Sequence, residues 1–283
     1  MAHWGRSVIG VVVCVTGVAA MGRTAPPVTQ DLANRNQILA EAKAAQYSLL
    51  REGMQSVHAT ATFNWATFLD WQGPQDASDK AILGSLAASH YEVTIDDAGT
   101  PSVESVTGAM PANATDANAV LGEIEGMRHT LESLLNAWTG YMAATVLPPD
   151  DVDMHIAETG GTYDLKYFIG ETAFAIDMNA KFEMARVWEK DTKSMSEIHP
   201  AFDATPKGFV LKGYEGSFES YEKNRSTTAK LTLEYETVDG LLLPQTLTEL
   251  VPGKRGTDTA KFSFTDYKVT RRAGAGAGGS PKQ

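Results

Sequence analysis

The hydrophobic period of the chain changes several times, and each change marks an element. Leu32, Ile38, Leu39, Ala42, Ala45, Leu49 and Leu50 recur at three- and four-residue spacing. That stripe predicts a helix from Asp31, a capping residue, to about Met54, with Gly53 placed to stop it. The period then falls to two. Val57, Ala59, Ala61, Phe63 and Trp65 alternate with His58, Thr60, Thr62 and Asn64, the signature of a strand with one buried face. Shorter strands are predicted at Tyr91 to Ile95 and at Val103 to Val106, while residues 72–88 read as a loop with a single helical turn.

The longest periodic segment begins at Thr115 or Asp116, after the Pro111 breaker, and ends at Pro148-Pro149. Val120, Ile124, Met127, Leu131, Leu134, Leu135, Trp138 and Met142 give it one broad apolar face. Gly122, Gly126 and Gly140 interrupt it, each costing up to about 1 kcal/mol relative to alanine. Such a helix is held by what it packs against, and is easier to bend than most.

After Pro149 the chain alternates in twos. Met154 and Ile156 lead into Tyr163, Leu165 and Tyr167, then Phe174, Ile176 and Met178, then Phe182, Met184 and Trp188. A polar connection containing His199-Pro200 precedes Phe209–Leu211 and Tyr214–Phe218. Leu231, Leu233 and Tyr235 form the cleanest strand, and Asp239-Gly240 turns it into Leu243–Val251. Phe262 and Phe264 close a meander of six or seven strands. Alternating strands with one wet face belong to antiparallel sheets. The predicted class is therefore α+β: a large curved antiparallel sheet, an unclosed β-barrel, with two helices over its concave face.

The ends change the picture of where the protein works. Arg6 precedes an unbroken apolar or small run from Val8 to Ala20, too short to span a bilayer but the right length for a secretory h-region. Val18-Ala19-Ala20 supplies small residues for cleavage, so residues 1–20 are expected to be a signal peptide and 21–30 a linker. A single domain is expected over 31–271, followed by a disordered Gly/Ala-rich tail over 272–283. The one cysteine, Cys14, lies inside the apolar run rather than at its end, which does not fit a lipidated cysteine. The expected location is a periplasm, with no transmembrane segment left after cleavage.

Composition narrows the chemistry. A net charge of −11 argues against nucleic acid as a partner, because phosphate contacts need clustered Lys and Arg. No nucleophile elbow, phosphate loop or dinucleotide fingerprint is present. His129 and Glu132 share a helix face, and Asp150, Asp151 and Asp153 form the densest acidic cluster. Both read more simply as solvated surface than as metal sites. No catalytic residue, metal or cofactor is expected.

The segment LTLEYETVDGLLLPQTLTEL (231–250), followed by TAKFSFTDYKV (259–269), resembles the late hairpin of the LolA-like, outer-membrane lipoprotein-sorting family. The order of signal peptide, helix and long strand is similar too. The resemblance implies an unclosed barrel covered by helices, an apolar cavity for acyl chains and no catalytic machinery. The expected function is a periplasmic carrier or sensor of lipid, lipoprotein acyl chains or another apolar ligand. Its cavity, of about 300–1,000 Å³, would be lined by Phe63, Trp65, Phe174, Ile176, Met178, Phe182, Met184, Trp188, Leu231, Leu233, Tyr235, Phe262 and Phe264 from the sheet. Leu131, Leu134, Trp138 and Met142 would line it from the long helix. The plain alternative for each residue is a filled core. A second reading makes the chain a non-catalytic cell-envelope module that docks a protein or lipoprotein partner. A third, a hydrolase, would need polar groups converging in a cleft, and no spacing points to them.

Overall fold

The computed structural model describes residues 32–69, 76–144, 146–253 and 256–272. The expected signal peptide, linker and tail from residue 273 lie outside the described residues. The elements run α1 (Leu32–Ala45), β1 (Met54–Phe63), α2 (Trp65–Leu69), α3 (Ala77–Ala87), β2 (His90–Ile95), β3 (Pro101–Val106) and α4 (Ala114–Met142). Nine strands follow: β4 (Met154–Thr159), β5 (Thr162–Ile169), β6 (Thr172–Met178), β7 (Met184–Lys190), β8 (Ser194–Thr205), β9 (Gly208–Ser220), β10 (Arg225–Val238), β11 (Leu241–Gly253) and β12 (Gly256–Arg271).

All twelve strands form one antiparallel sheet in the order β3-β2-β1-β12-β11-β10-β9-β8-β7-β6-β5-β4. Most of it is a simple meander, because short turns favour pairing of consecutive strands. The exception joins the two ends of the chain: β1 pairs with β12 from Met54↔Arg271 to Phe63↔Phe262. The terminal strands β3 and β4 do not pair with each other, so the sheet is unclosed. Among the described residues no helix is long and apolar enough to cross a membrane.

Register fixes which side chains share a face. Phe63 of β1 lies opposite Phe262, Phe262 opposite Leu247, and Leu247 opposite Leu233. This apolar face carries the buried core, while His58, Glu92 and Lys230 project from the other side, where they are exposed or half-buried. Glycine is required where β9 is squeezed from both sides. At Gly208 (φ +113°) a Cβ would lie 2.7 Å from the carbonyl oxygen of Ala45. The end of α1 rests there, with Tyr47 N–H donating to Phe209 O at 3.0 Å. At Gly213, where β9 bulges against β8, a Cβ would meet the Leu231 carbonyl oxygen of β10 at 2.1 Å, so the bulge requires glycine.

Several expectations are corrected. Four helices are present among the described residues instead of two. The first stops at Ala45, not Met54, because residues 46 and 47 bond to β9 and Leu49 N–H donates to Met142 O at 2.7 Å. Leu49 is fully buried in the turn that follows rather than on a helix face. Residues 77–87 form three turns of helix, not one. Asp76 and Asp79 build a reciprocal capping box there, with Asp79 N–H donating to Asp76 Oδ1 at 2.9 Å. Replacing Asp76 with alanine is expected to cost about 1 kcal/mol in urea denaturation and to expose 77–87 to proteolysis first; an unchanged midpoint would show that the cap is idle.

The sheet also gains strands. The polar connection around His199-Pro200 is strand β8, twelve residues long, and Phe209–Leu211 with Tyr214–Phe218 is one bulged strand, β9. Proline donates no ladder hydrogen bond and argues against a central strand. Here it is accommodated at Pro200↔Tyr214, next to Ala201, after which the register shifts.

Candidate ligand-binding face

The long helix α4 meets the apolar face of the sheet through named contacts at both ends. Near its start, Ser105 of β3 donates to Glu125, Tyr91 of β2 donates to the Ile124 carbonyl at 3.2 Å, and Ser78 of α3 donates to Asp116. Arg128 and Ser105 hydrogen-bond the Glu125 carboxyl and hold its pKa below the usual value. Near its end, Trp138 Nε1–H donates to the Tyr235 hydroxyl at 3.1 Å, and Tyr235 donates to Leu211 O. Leu211 N–H also approaches Met142 Sδ at 3.4 Å, and the Tyr141 ring meets Phe202 edge-on at 6.0 Å.

Most of the residues expected to line a cavity belong to one buried core. Leu131, Trp138, Met142, Ile176 and Phe262 have 0% exposed surface. Leu134, Phe63, Trp65, Met178, Met184, Leu231, Leu233 and Phe264 are buried around them. Phe63 packs edge-on against Trp65 at 4.6 Å, and the Trp65 indole N–H has no hydrogen-bond partner. Phe174 and Tyr235 share the face but are only half-buried. Phe182 does not lie in a strand: it sits at φ 62° in the turn before β7, stacked on Tyr163 at 5.1 Å.

Trp188 is on the other side of the sheet. It pairs with Ala175 and Glu197, whereas Val187 pairs with Ile176 and Ile198 on the apolar face. The sequence placed Phe182, Met184 and Trp188 on one period. The bulge between Asp177 and Met178 shifts the β6–β7 register by one residue, and a one-residue slip reverses the face.

Two carboxyls occupy this apolar face, and sequence reasoning missed both. Glu249 stands opposite Leu231 and Ala260, and is 4% exposed. Burial alone pushes its pKa up to about 7. Glu189 stands opposite Phe174, and burial, with Asp191 nearby, raises its pKa as well. Between them lie buried phenols. Tyr214 feels Glu249 and Tyr141, Tyr141 feels Tyr167, and Tyr167 feels Glu189. Burial raises all three phenol pKa values. Tyr167 donates to Val146 O at 3.0 Å, but the Tyr141 hydroxyl is buried with no hydrogen-bond partner. A signal for Glu249 was present in the sequence: Leu247, Glu249 and Val251 keep one parity along a strand whose Leu247 is core.

A trough of about 590 Å³ opens on the opposite face, where Glu197, His199, Glu215, Ser217, Thr228, Lys230, Leu250 and Pro252 project from β8 to β11. Its charges are paired with one another, His199 to Glu197 at 3.0 Å and Lys230 to Glu215 at 2.7 Å. Elsewhere Asp150 pairs with Lys43 at 2.7 Å, Asp153 with Arg35 at 3.1 Å, and Glu132 with Arg128 at 3.1 Å. Among the described residues no group of three or more His, Cys, Asp or Glu side chains is placed to hold a metal ion.

Compared with known protein families, curated proteins and solved structures, the chain finds no match.

Proposed function

We propose that the chain is an exported carrier or sensor of lipid or another apolar ligand, of the LolA-like kind, working in a periplasm. In this reading the sheet is curved, α4 covers its concave face, and the ligand enters between them. One observation carries the proposal. Phe174, Val187, Phe202 and Phe218 lie on the apolar face and adjoin the core, yet remain only partly buried. A sheet face that is finished as core at α4 and left partly open beside it offers an alkyl chain somewhere to begin. The residues under α4 are already packed, so a longer chain must displace the second half of the helix. Gly140 lies in that half, and Gly122 and Gly126 precede it. Its polar anchors to β9 and β10, Trp138 to Tyr235 and Met142 to Leu211, are one hydrogen bond each.

Native mass spectrometry of the exported protein, followed by organic extraction, tests this. The expected result is a co-purifying amphiphile, or uptake of an added alkyl chain at one per protein. A clean apo mass with no uptake would contradict it and favour a docking module that uses the trough on the opposite face.

A further inference from the structure

Along the apolar face, one strand carries a carboxyl where its neighbours carry hydrocarbon. Glu249 follows Leu247 on the inward row of β11, between Leu231 and Ala260, and is 4% exposed. No donor among the described residues hydrogen-bonds it. Tyr214, opposite Leu231 on the next strand and 3% exposed, lies within electrostatic reach of both Glu249 and Tyr141. The Tyr141 hydroxyl, from α4, is also unpartnered. A buried polar group without a partner costs about 1–3 kcal/mol, and more when charged. The Tyr141 hydroxyl is such a group, and the Glu249 carboxyl, on a residue 4% exposed, shares Tyr214 with it as an electrostatic neighbour. They are well suited to a head group that donates to a carboxylate.

We propose that Glu249, with Tyr214 and Tyr141 beside it, forms the polar end of the ligand site and selects amphiphiles with a cationic amine head group over those with a carboxylate. An ammonium brings three donors and the opposite charge into a region of low dielectric, so it satisfies Glu249 directly. A ligand carboxylate would place two like charges together there. Tyr141 and Tyr214 hydroxyls can turn to accept from whichever ammonium hydrogens Glu249 leaves free. This rests on the carrier reading and names the class of cargo it would take.

The test is calorimetric titration of the mature protein at pH 8 with dodecylamine, dodecanol and dodecanoate, which share one chain. The amine is expected to bind at least about tenfold more tightly than the carboxylate. In E249Q, which keeps the side-chain shape, that ratio is expected to collapse towards one, and E249A repeats the reading. Equal binding of amine and carboxylate, or a preference that survives both substitutions, overturns the inference while dodecanol binding leaves the carrier reading standing. If none of the three chains binds, the carrier reading fails and takes this inference with it.

Discussion

E249Q is expected to be more stable than the unsubstituted protein at pH 8, by about 3 kcal/mol, and nearly equal to it at pH 4.5. The sign follows from where the proton is held more tightly. Burial raises the Glu249 pKa from 4.5 to about 7 in the folded chain. Between those values the folded state binds more protons than the unfolded one, so stability falls as pH rises through the window. Below it the protonated acid contributes fully; above it the fold carries a buried charge flanked by Leu231 and Ala260, with the Tyr214 phenol in electrostatic reach. Glutamine never ionises and keeps its stability across the range. Urea denaturation of both proteins from pH 4.5 to 8 checks this. Parallel curves would mean that the Glu249 carboxyl is solvated in solution. An ammonium ligand should narrow the gap at pH 8, which ties the stability measurement to the binding proposal.

Trp138→Ala is expected to cost about 4 kcal/mol, the largest single loss in the interior. Trp138 has 0% exposed surface and is the largest of the fully buried side chains. Removing it empties the space between α4 and β10 and breaks the hydrogen bond to Tyr235. Tyr235 stays satisfied through Leu211 O, so the loss is mainly one of packing. Trp188→Ala, on the other face and only half-buried, is expected to cost less than half as much. Thermal unfolding of the two variants compares them, and equal losses would contradict the placement of the two indoles on opposite faces.

The repeated alternation of apolar and polar residues made most of the sheet legible. Leu231, Leu233 and Tyr235, or Tyr163, Leu165 and Tyr167, have no alternative at a period of two. The stripe from Val120 to Met142 was equally clear, because a long amphipathic helix needs no neighbour to be recognised. What failed was information that lives between segments. The pairing of β1 with β12 joins residues some two hundred apart, and nothing local encodes it. Pro200 hid β8, since its tolerance depends on the bulge beside it. The bulge before Met178 turned Trp188 outward, and register is a property of two strands at once. Asp76 and Asp79 cap α3 as two aspartates, where a search for serine or threonine followed by glutamate passes over them. In the candidate site the apolar residues were legible as a set. Glu249 was missed because acids were weighed for catalysis and metal binding, not for their parity within a buried strand.

The most direct measurement asks which face of the sheet an alkyl chain touches. Two variants would each retain one tryptophan, Trp138 or Trp188, with the other four of the five, Trp4 included, replaced by phenylalanine. Each would be titrated with a nitroxide-labelled dodecyl chain while its fluorescence is followed. Quenching of Trp138 with Trp188 left bright is the predicted result, because the proposed site lies on the Trp138 side of the sheet. Quenching of Trp188 alone, equal quenching of both, or no quenching of either would contradict the account.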